Sequence, residues 1–493
     1  MCGCTPMEER MNQIIVIGGG PAGVIAALRA RELGASVTLV EKGRLGGTCL
    51  NDGVAPTRVW ARAARLRRDY ERFADYGWVS PPPELDFDRL RTRTQQVVYH
   101  MHEKKQLLSH LESAGVTVYT ETGRASFSDP HTIQTESGLK LQGETFILCA
   151  GGHARRPDFP GREFTLTHHD IWSVDRLPAS AVIAGGGATG CQVATILSAF
   201  GCRVWLMEMY PEILGIEDQS VSQAMRKALA RRGVEVITGI SGIEAVEMNG
   251  RDLYLTYGQD GTSHLIKTQA VILASGWPGN ADELNPTAAG VETRRGYVVV
   301  DDHLRTAAPH IFAAGDITGR MMLVQSAGLE ARVAAENAVL TPGQLSQHQI
   351  VPHGGFTDPE YASVGRTEAQ VAAANLEYLT ATVQYAELDR AVIDGLTEGF
   401  VKLIVSAENH RVLGAHVVGE QAVEIIQILA AAMTADMWVE QLAEMEFSYP
   451  TYTSIVGMAA RKIVYELGVM PLAPQWRNLG KSIAAEWERA ERS

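Results

Sequence analysis

The sequence contains no run of apolar residues near the ~20 that a membrane-spanning helix needs. Its first residues, MCGCTPMEER, lack the apolar core of a secretory signal. A soluble, cytoplasmic protein with no membrane span is therefore expected. Basic charge is also short: 44 Lys and Arg stand against 57 Asp and Glu, a net charge of −13. Nucleic-acid binders normally present a basic face, so DNA and RNA are not expected partners. Cysteine is sparse and scattered. Cys2, Cys4, Cys49, Cys149, Cys191 and Cys202 sit mostly in apolar contexts, and none follows Cys202. That distribution excludes a secreted disulfide framework. The C-x-C of Cys2 and Cys4 reads either as a metal- or thiol-handling arm or as a disordered leader. No resident metal is expected.

What remains is an α/β composition: 45% apolar, 20% charged and 48 glycines in 493 residues, enough for roughly three domains. Residues 13–17, QIIVI, predict a buried strand. GGGPAG, a helix and the strand SVTLV follow, ending at Glu41. Gly18 allows a tight turn, Gly20 a close approach of pyrophosphate, and Gly23 helix-on-strand packing. The helix start offers free amides to phosphate, and Glu41 can accept from ribose hydroxyls. The unit recurs as AVIAGGGATG, with Gly185, Gly187 and Gly190, a helix, and the strand CRVWLME ending at Glu208. Glu208 follows Gly185 at the spacing at which Glu41 follows Gly18. Two complete units predict two bound dinucleotides. A carboxylate at Glu208 bonds the 2′-hydroxyl of NAD and repels the 2′-phosphate of NADP, so NAD is preferred.

Further along, a helical stretch is predicted near 86–115. FILCAGG (146–152) and VILASGWPGN (271–280) each read as a strand ending in a glycine turn. HIFAAGDITG (310–319) places Asp316 after a strand, where it can bond a ribityl chain or cap the next helix. That helix, around 322–338, would aim its N-terminus at the pyrimidine edge of a flavin. Lys42, Gln325 and Gly276 are further candidate cofactor contacts. From about 346 the pattern predicts an antiparallel sheet with helices, then FSYPTYTS (447–454) and a helix to about 467. The segment 472–493, with Trp476 and Trp487, reads as an appended amphipathic tail.

With these motifs, the chain from about 11 to 467 resembles the pyridine nucleotide–disulfide oxidoreductases. Dihydrolipoamide dehydrogenase, glutathione reductase, mercuric reductase and soluble transhydrogenase are members. The resemblance implies two Rossmann-like dinucleotide-binding domains plus a C-terminal α+β dimerisation domain. The expected boundaries are 11–150 for FAD, 151–275 for NAD, 276–345 for the return to the FAD domain, and 346–471 for dimerisation. It also implies a homodimer whose active sites use both chains. GGGPAG…Glu41, with Thr48 and Asp316, would hold FAD, and GGGATG…Glu208 would hold NAD(H).

The stretch GGTCLNDGVAPTR (46–58) departs from the family pattern of Cys-x4-Cys followed by Pro-Ser-Lys. Cys49 keeps the first position, but Val54 holds the second and Arg58 replaces the lysine. Valine cannot close a disulfide or form a flavin adduct. Cys49 alone reads as a reactive thiol or as a small apolar packing residue. The family's lysine–glutamate pair beside the flavin corresponds here to Arg58 and Gln192. Arg cannot lose its proton, and neutral Gln192 cannot balance it. The C-terminal His-Pro-Thr-x-x-x-Glu becomes Tyr449-Pro450-Thr451, with Ser454 for the glutamate. A phenol with a pKa about 10 is a poor base at neutral pH but can donate a hydrogen bond.

The replacements at Val54, Arg58, Gln192 and Tyr449 thus disable disulfide exchange. The expectation is an FAD-dependent NADH oxidoreductase that serves a quinone, a metal ion or a similar non-disulfide acceptor. Soluble transhydrogenase, a dihydrolipoyl dehydrogenase-like or mercuric reductase-like enzyme, and a non-enzymatic flavin sensor are the alternatives.

Overall fold

The computed structural model describes residues 13–340, 343–346 and 350–469. Cys2, Cys4 and the 472–493 tail lie outside the described residues. The chain divides into two compact units. The first takes the described residues up to Pro211 and from Gly233 to 346. The second takes Glu212–Arg232 and 350–469.

The first unit contains two five-stranded parallel sheets of matching order. In one, Gln13–Ile17 is central, because Ile14, Ile15, Val16 and Ile17 are β-branched and buried on both faces. It pairs with Ser36–Val40 on one side and Thr145–Leu148 on the other, with Ile14 opposite Val37 and Thr145. Thr117–Tyr119 and Ile311–Ala313 form the edges. In the other sheet, Ser180–Ala184 is central between Arg203–Glu208 and Ala270–Leu273, with Glu235–Thr238 and Leu166–Thr167 at the edges. Each sheet is accompanied by a three-stranded antiparallel sheet, at Ala125–Gln142 and at Ile240–Thr268. The copies differ at one edge. Ile311–Ala313 comes last in the chain, whereas its counterpart Leu166–Thr167 comes first.

The helical stretch expected over 86–115 is two helices, Phe87–Lys105 and Leu107–Ser113. Gln106 separates them in the left-handed region at φ 43°, and its amide closes the first helix on the His102 carbonyl. No glycine or proline marked that break in the sequence.

In the second unit a five-stranded antiparallel sheet runs in the order His353–Gly355, Glu360–Gly365, Val412–Gly419, Phe400–Ser406, Tyr378–Gln384. Helices Ala422–Thr434 and Ser454–Leu467 bury Ile425, Ile426, Leu429, Ile455, Ile463 and Val464 in its core. Helix Gln219–Arg231 groups with this unit. Its cap Asp218, 2% exposed, accepts from the Ser220 amide and from Lys402 Nζ at 2.8 Å. Lys402 also pairs with Glu368 at 2.6 Å.

Candidate active site

Both glycine turns do what their spacing requires. Gly18 and Gly185 turn the chain at φ 106° and 120°. A Cβ at Gly23 or Gly190 would overlap the carbonyl oxygen of Gly18 or Gly185. A Cβ at Gly187 would meet open space, which leaves the backbone accessible to a phosphate. The acidic residues act alike as well. Glu41 accepts from the Gly19 amide at 2.6 Å and Glu208 from the Gly186 amide at 2.7 Å. Their second oxygens accept from Gly43 at 2.8 Å and Tyr210 at 3.0 Å. Each carboxylate is fixed at the mouth of its turn, where a ribose would lie.

The Cys49 stretch is docked on the first turn. The Gly46 amide donates to the Gly19 carbonyl at 2.8 Å, and a side chain on Gly47 would crowd Gly20. Thr48 and Cys49 lie on the short helix Gly47–Asn51, with Asp52 as its C-cap. Asn51 pins that helix by donating to the Arg44 and Leu45 carbonyls at 3.3 Å and meeting His102 at 2.8 Å. Cys49 is partly buried, and burial pushes its thiol above the ordinary value. Lys105 opposes that shift and the Asp316 carboxylate reinforces it. Val54 opens helix Val54–Glu71 and is 43% exposed. Cys49, Cys149, Cys191 and Cys202 are all free thiols.

Arg58 lies on helix Val54–Glu71 and Gln192 on helix Ala188–Ala199, and these two helices pack together. Trp60 anchors the contact. It is fully buried, edge-on to Trp172 at 4.9 Å and tilted against Phe200 at 5.9 Å, and its indole donates to Thr94 at 3.0 Å. The Gln192 amide donates to the Ala188 carbonyl at 3.1 Å.

Asp316 is positioned from behind. Glu330 is completely buried, and its carboxylate accepts from the Gly315 amide at 2.7 Å, holding the turn that carries Asp316. Asp316 starts a single 3₁₀ turn, Asp316–Thr318, and does not cap helix Val324–Val339, whose N-cap is Leu323. Burial raises the Asp316 pKa, and the Trp277 indole, donating at 2.9 Å, pulls it back. Gln325 lies in the first turn of Val324–Val339. Lys42 is paired with Glu283 at 3.1 Å. Gly276 adopts φ 135°, with its carbonyl accepting from Arg155 at 3.0 Å.

In the second unit Tyr449 is 77% exposed and donates to Asp389 at 2.8 Å. That bond to the carboxylate raises the phenol pKa, so Tyr449 stays protonated. The Ser454 hydroxyl donates to the Thr451 carbonyl at 2.7 Å.

Comparison with known proteins agrees with this geometry. The pyridine nucleotide-disulphide oxidoreductase family matches residues 12–331, and its dimerisation domain matches residues 351–460. The chain belongs to the pyridine nucleotide-disulphide oxidoreductase family. It is 32% identical to a dihydrolipoyl dehydrogenase of Geobacillus stearothermophilus over 456 residues, 91% of this chain and 95% of that one. It is 28% identical to a mercuric reductase of Staphylococcus aureus over 450 residues, 91% of this chain and 81% of that one. Among solved structures, the HOCl-induced flavoprotein disulfide reductase RclA from Escherichia coli superposes with a TM-score of 0.81. Identity there is 25%, over 91% of this chain and 99% of RclA.

Family membership makes the expected cofactors FAD and NAD(H) a finding, and this chain's residues fit them. Gly187 leaves the backbone of the second turn open to a pyrophosphate, and each carboxylate is fixed beside its turn by two backbone amides. The dimerisation domain and the α/β class stand as expected. Among the described residues no helix is long and apolar enough to cross a membrane, and no group of three or more His, Cys, Asp or Glu is arranged to hold a metal.

Asp52, His168, His169, Trp277 and Glu330 join the site in the structure without having been expected from the sequence. Asp52 and Trp277 lay inside the quoted motifs. His168 and His169 form an adjacent pair ahead of the second glycine turn, which was a usable signal.

Proposed function

We propose that this chain is an FAD-dependent oxidoreductase that takes hydride from NADH and delivers its electrons to a small acceptor other than a disulfide, a quinone being the leading class. The reading rests on one observation: Cys49 is a lone thiol, with Val54 in the position where the family's second cysteine stands. When bound, FAD accepts hydride from the nicotinamide and releases electrons one or two at a time.

The chain's own residues set the rest. The turn Gly18, Gly20, Gly23 with Glu41, Lys42 and Thr48 would hold FAD, with Asp316 and Gln325 closing its site. The turn Gly185, Gly187, Gly190 with Glu208 and Gly276 would hold NADH. Arg58 carries a permanent positive charge that Gln192 does not cancel, which favours negative charge nearby. Tyr449 stays protonated, with its hydroxyl donated to Asp389, and does not serve as a base. The match of residues 351–460 to the family's dimerisation domain supports a homodimer.

The test is an acceptor screen with NADH, using quinones, lipoamide, thio-NADP and metal ions. RclA has been solved as a Cu(II) complex, so Cu(II) belongs among the metals. Quinone turnover that survives Cys49→Ser is expected. Lipoamide turnover that is lost on Cys49→Ser would overturn the proposal, and tight NADPH binding with thio-NADP turnover would favour a transhydrogenase.

A further inference from the structure

A second titratable cluster lies beside Cys49. Asp52 follows Cys49 by three residues, and its Oδ2 lies 2.8 Å from His169 Nδ1. The His169 ring stacks flat on Trp277, with centroids 5.2 Å apart and planes 4° from parallel. Trp277 donates to Asp316, whose charge reaches the Cys49 thiol. Direct contacts run from Asp316 through Trp277 and His169 to Asp52, on the turn that follows Cys49.

In and beside this cluster, three polar atoms are buried and have no partner: Asp52 Oδ1, His169 Nε2 and the adjacent His168 Nδ1. Such atoms cost about 1–3 kcal/mol each when left unmatched, and they mark a place where a polar ligand belongs. The turn holding the histidines is tied down on both sides. Asp170 accepts from the Thr167 amide at 2.7 Å and pairs with Arg156 at 2.7 Å, and the Trp172 ring locks onto Trp60.

We propose that His169, paired with Asp52, is the proton donor to the acceptor in this enzyme. This deepens the function proposed above and rests on it. Reduction of a quinone by NADH requires one proton from outside: NADH + H⁺ + quinone gives NAD⁺ + hydroquinone. The hydride carries both electrons and one hydrogen. The second hydrogen reaches a quinone oxygen as a proton from His169 Nε2, and solvent reprotonates the ring. The C-terminal motif supplies no imidazole for this task, because Tyr449 stands there with its hydroxyl committed to Asp389.

The groups facing His169 define its chemistry. Asp52 approaches from the Cys49 helix, Asp170 from its own turn with Arg156 behind it, and Trp277 from the segment after Ala270–Leu273. His168 is adjacent, with ring centroids 4.5 Å apart. Burial, together with the neighbouring His169, lowers His168 to about 4, so His168 is neutral at pH 7.

The experiment compares a quinone, which takes up protons, with ferricyanide, which takes up electrons alone, in the FAD-loaded protein. In His169→Gln, quinone turnover should fall about 100-fold, as expected for loss of a general acid. Ferricyanide turnover and the rate of flavin bleaching by NADH should change less than about threefold. The alkaline fall in quinone rate and the solvent isotope effect should vanish. Imidazole added to His169→Ala should restore quinone turnover, and Asp52→Asn should lower it less. A readout apart from turnover is Trp277 emission, taken as the difference from Trp277→Phe. Its quenching in acid by the stacked imidazolium should be absent from His169→Gln.

Quinone and ferricyanide rates that fall together would overturn the inference. So would a quinone rate and pH profile that survive His169→Gln. A wild-type protein that turns over lipoamide but no quinone would overturn the proposed function itself.

Discussion

The Trp277 indole N–H donates to the Asp316 carboxylate at 2.9 Å, joining the segment after Ala270–Leu273 to the turn after Ile311–Ala313. Asp316 is largely buried, and burial already raises its pKa. Trp277→Phe keeps the ring and removes the donor, so the carboxylate is left unmatched. The variant should lose roughly 1–3 kcal/mol at neutral pH, measured by denaturant unfolding of the FAD-free chain. A raised folded pKa means that stability is lost as pH rises through it. The deficit should therefore shrink as pH falls through that raised pKa and Asp316 takes up its proton. An equal deficit at pH 3 and pH 7 would rule this out.

Glu208 is held by the Gly186 and Tyr210 amides and faces the second glycine turn. A fixed carboxylate there repels a 2′-phosphate. Glu208→Ala should narrow the preference for NADH over NADPH by about tenfold, near 1.4 kcal/mol. The ratio of kcat/KM values for the two coenzymes reads this directly, and an unchanged ratio would remove Glu208 from specificity.

Cys49 should behave as an unreactive thiol at neutral pH. Burial raises its pKa, so the thiolate that alkylates is scarce. Labelling by iodoacetamide should be slow at pH 7 and accelerate as pH rises. Fast labelling at pH 7 would show an activated thiol and reopen a role for Cys49 in turnover.

Lys402, 8% exposed, neutralises Asp218 within the second unit. Burial alone would raise the Asp218 pKa, but the bond from Lys402 and those from Ser220 and Glu368 lower it well below the usual carboxylate range. Lys402→Met strands that charge and should cost about 3–5 kcal/mol. A depressed folded pKa gives stability above the unfolded value, near pH 4, that is lost as pH falls through the folded one. Wild-type protein should accordingly weaken in acid more than the variant does, measured by thermal unfolding from pH 7 to pH 3.

Much of this was legible in the sequence because its signals are local. Gly18, Gly20, Gly23 and Glu41 lie in one short run, and periodicity marks the strands that flank them. The replacements at Val54, Arg58, Gln192 and Tyr449 were visible for the same reason. The cluster around His169 was not, because Asp52, His169, Trp277 and Asp316 come from four separate segments that only tertiary folding unites. Glu330 was hidden in an ordinary amphipathic helix, where a glutamate usually faces water. Gln106 broke a helix without glycine or proline, so propensity gave no warning. Helix Gln219–Arg231 groups with the second unit through the buried Asp218–Lys402 pair, a long-range contact that no local pattern encodes.

The two matched sheets differ in where their last edge comes from, and this orders their assembly on the ribosome. The sheet centred on Ser180–Ala184 has all its strands between Leu166 and Leu273. The sheet centred on Gln13–Ile17 begins earlier but waits for Ile311–Ala313 to close it. Synthesis runs at about 5–20 residues per second, so the first-made half stands open at that edge for roughly ten seconds or more. The nucleotide site made first is thus the one completed last, and nascent chains should depend on chaperones or on early cofactor capture during that interval.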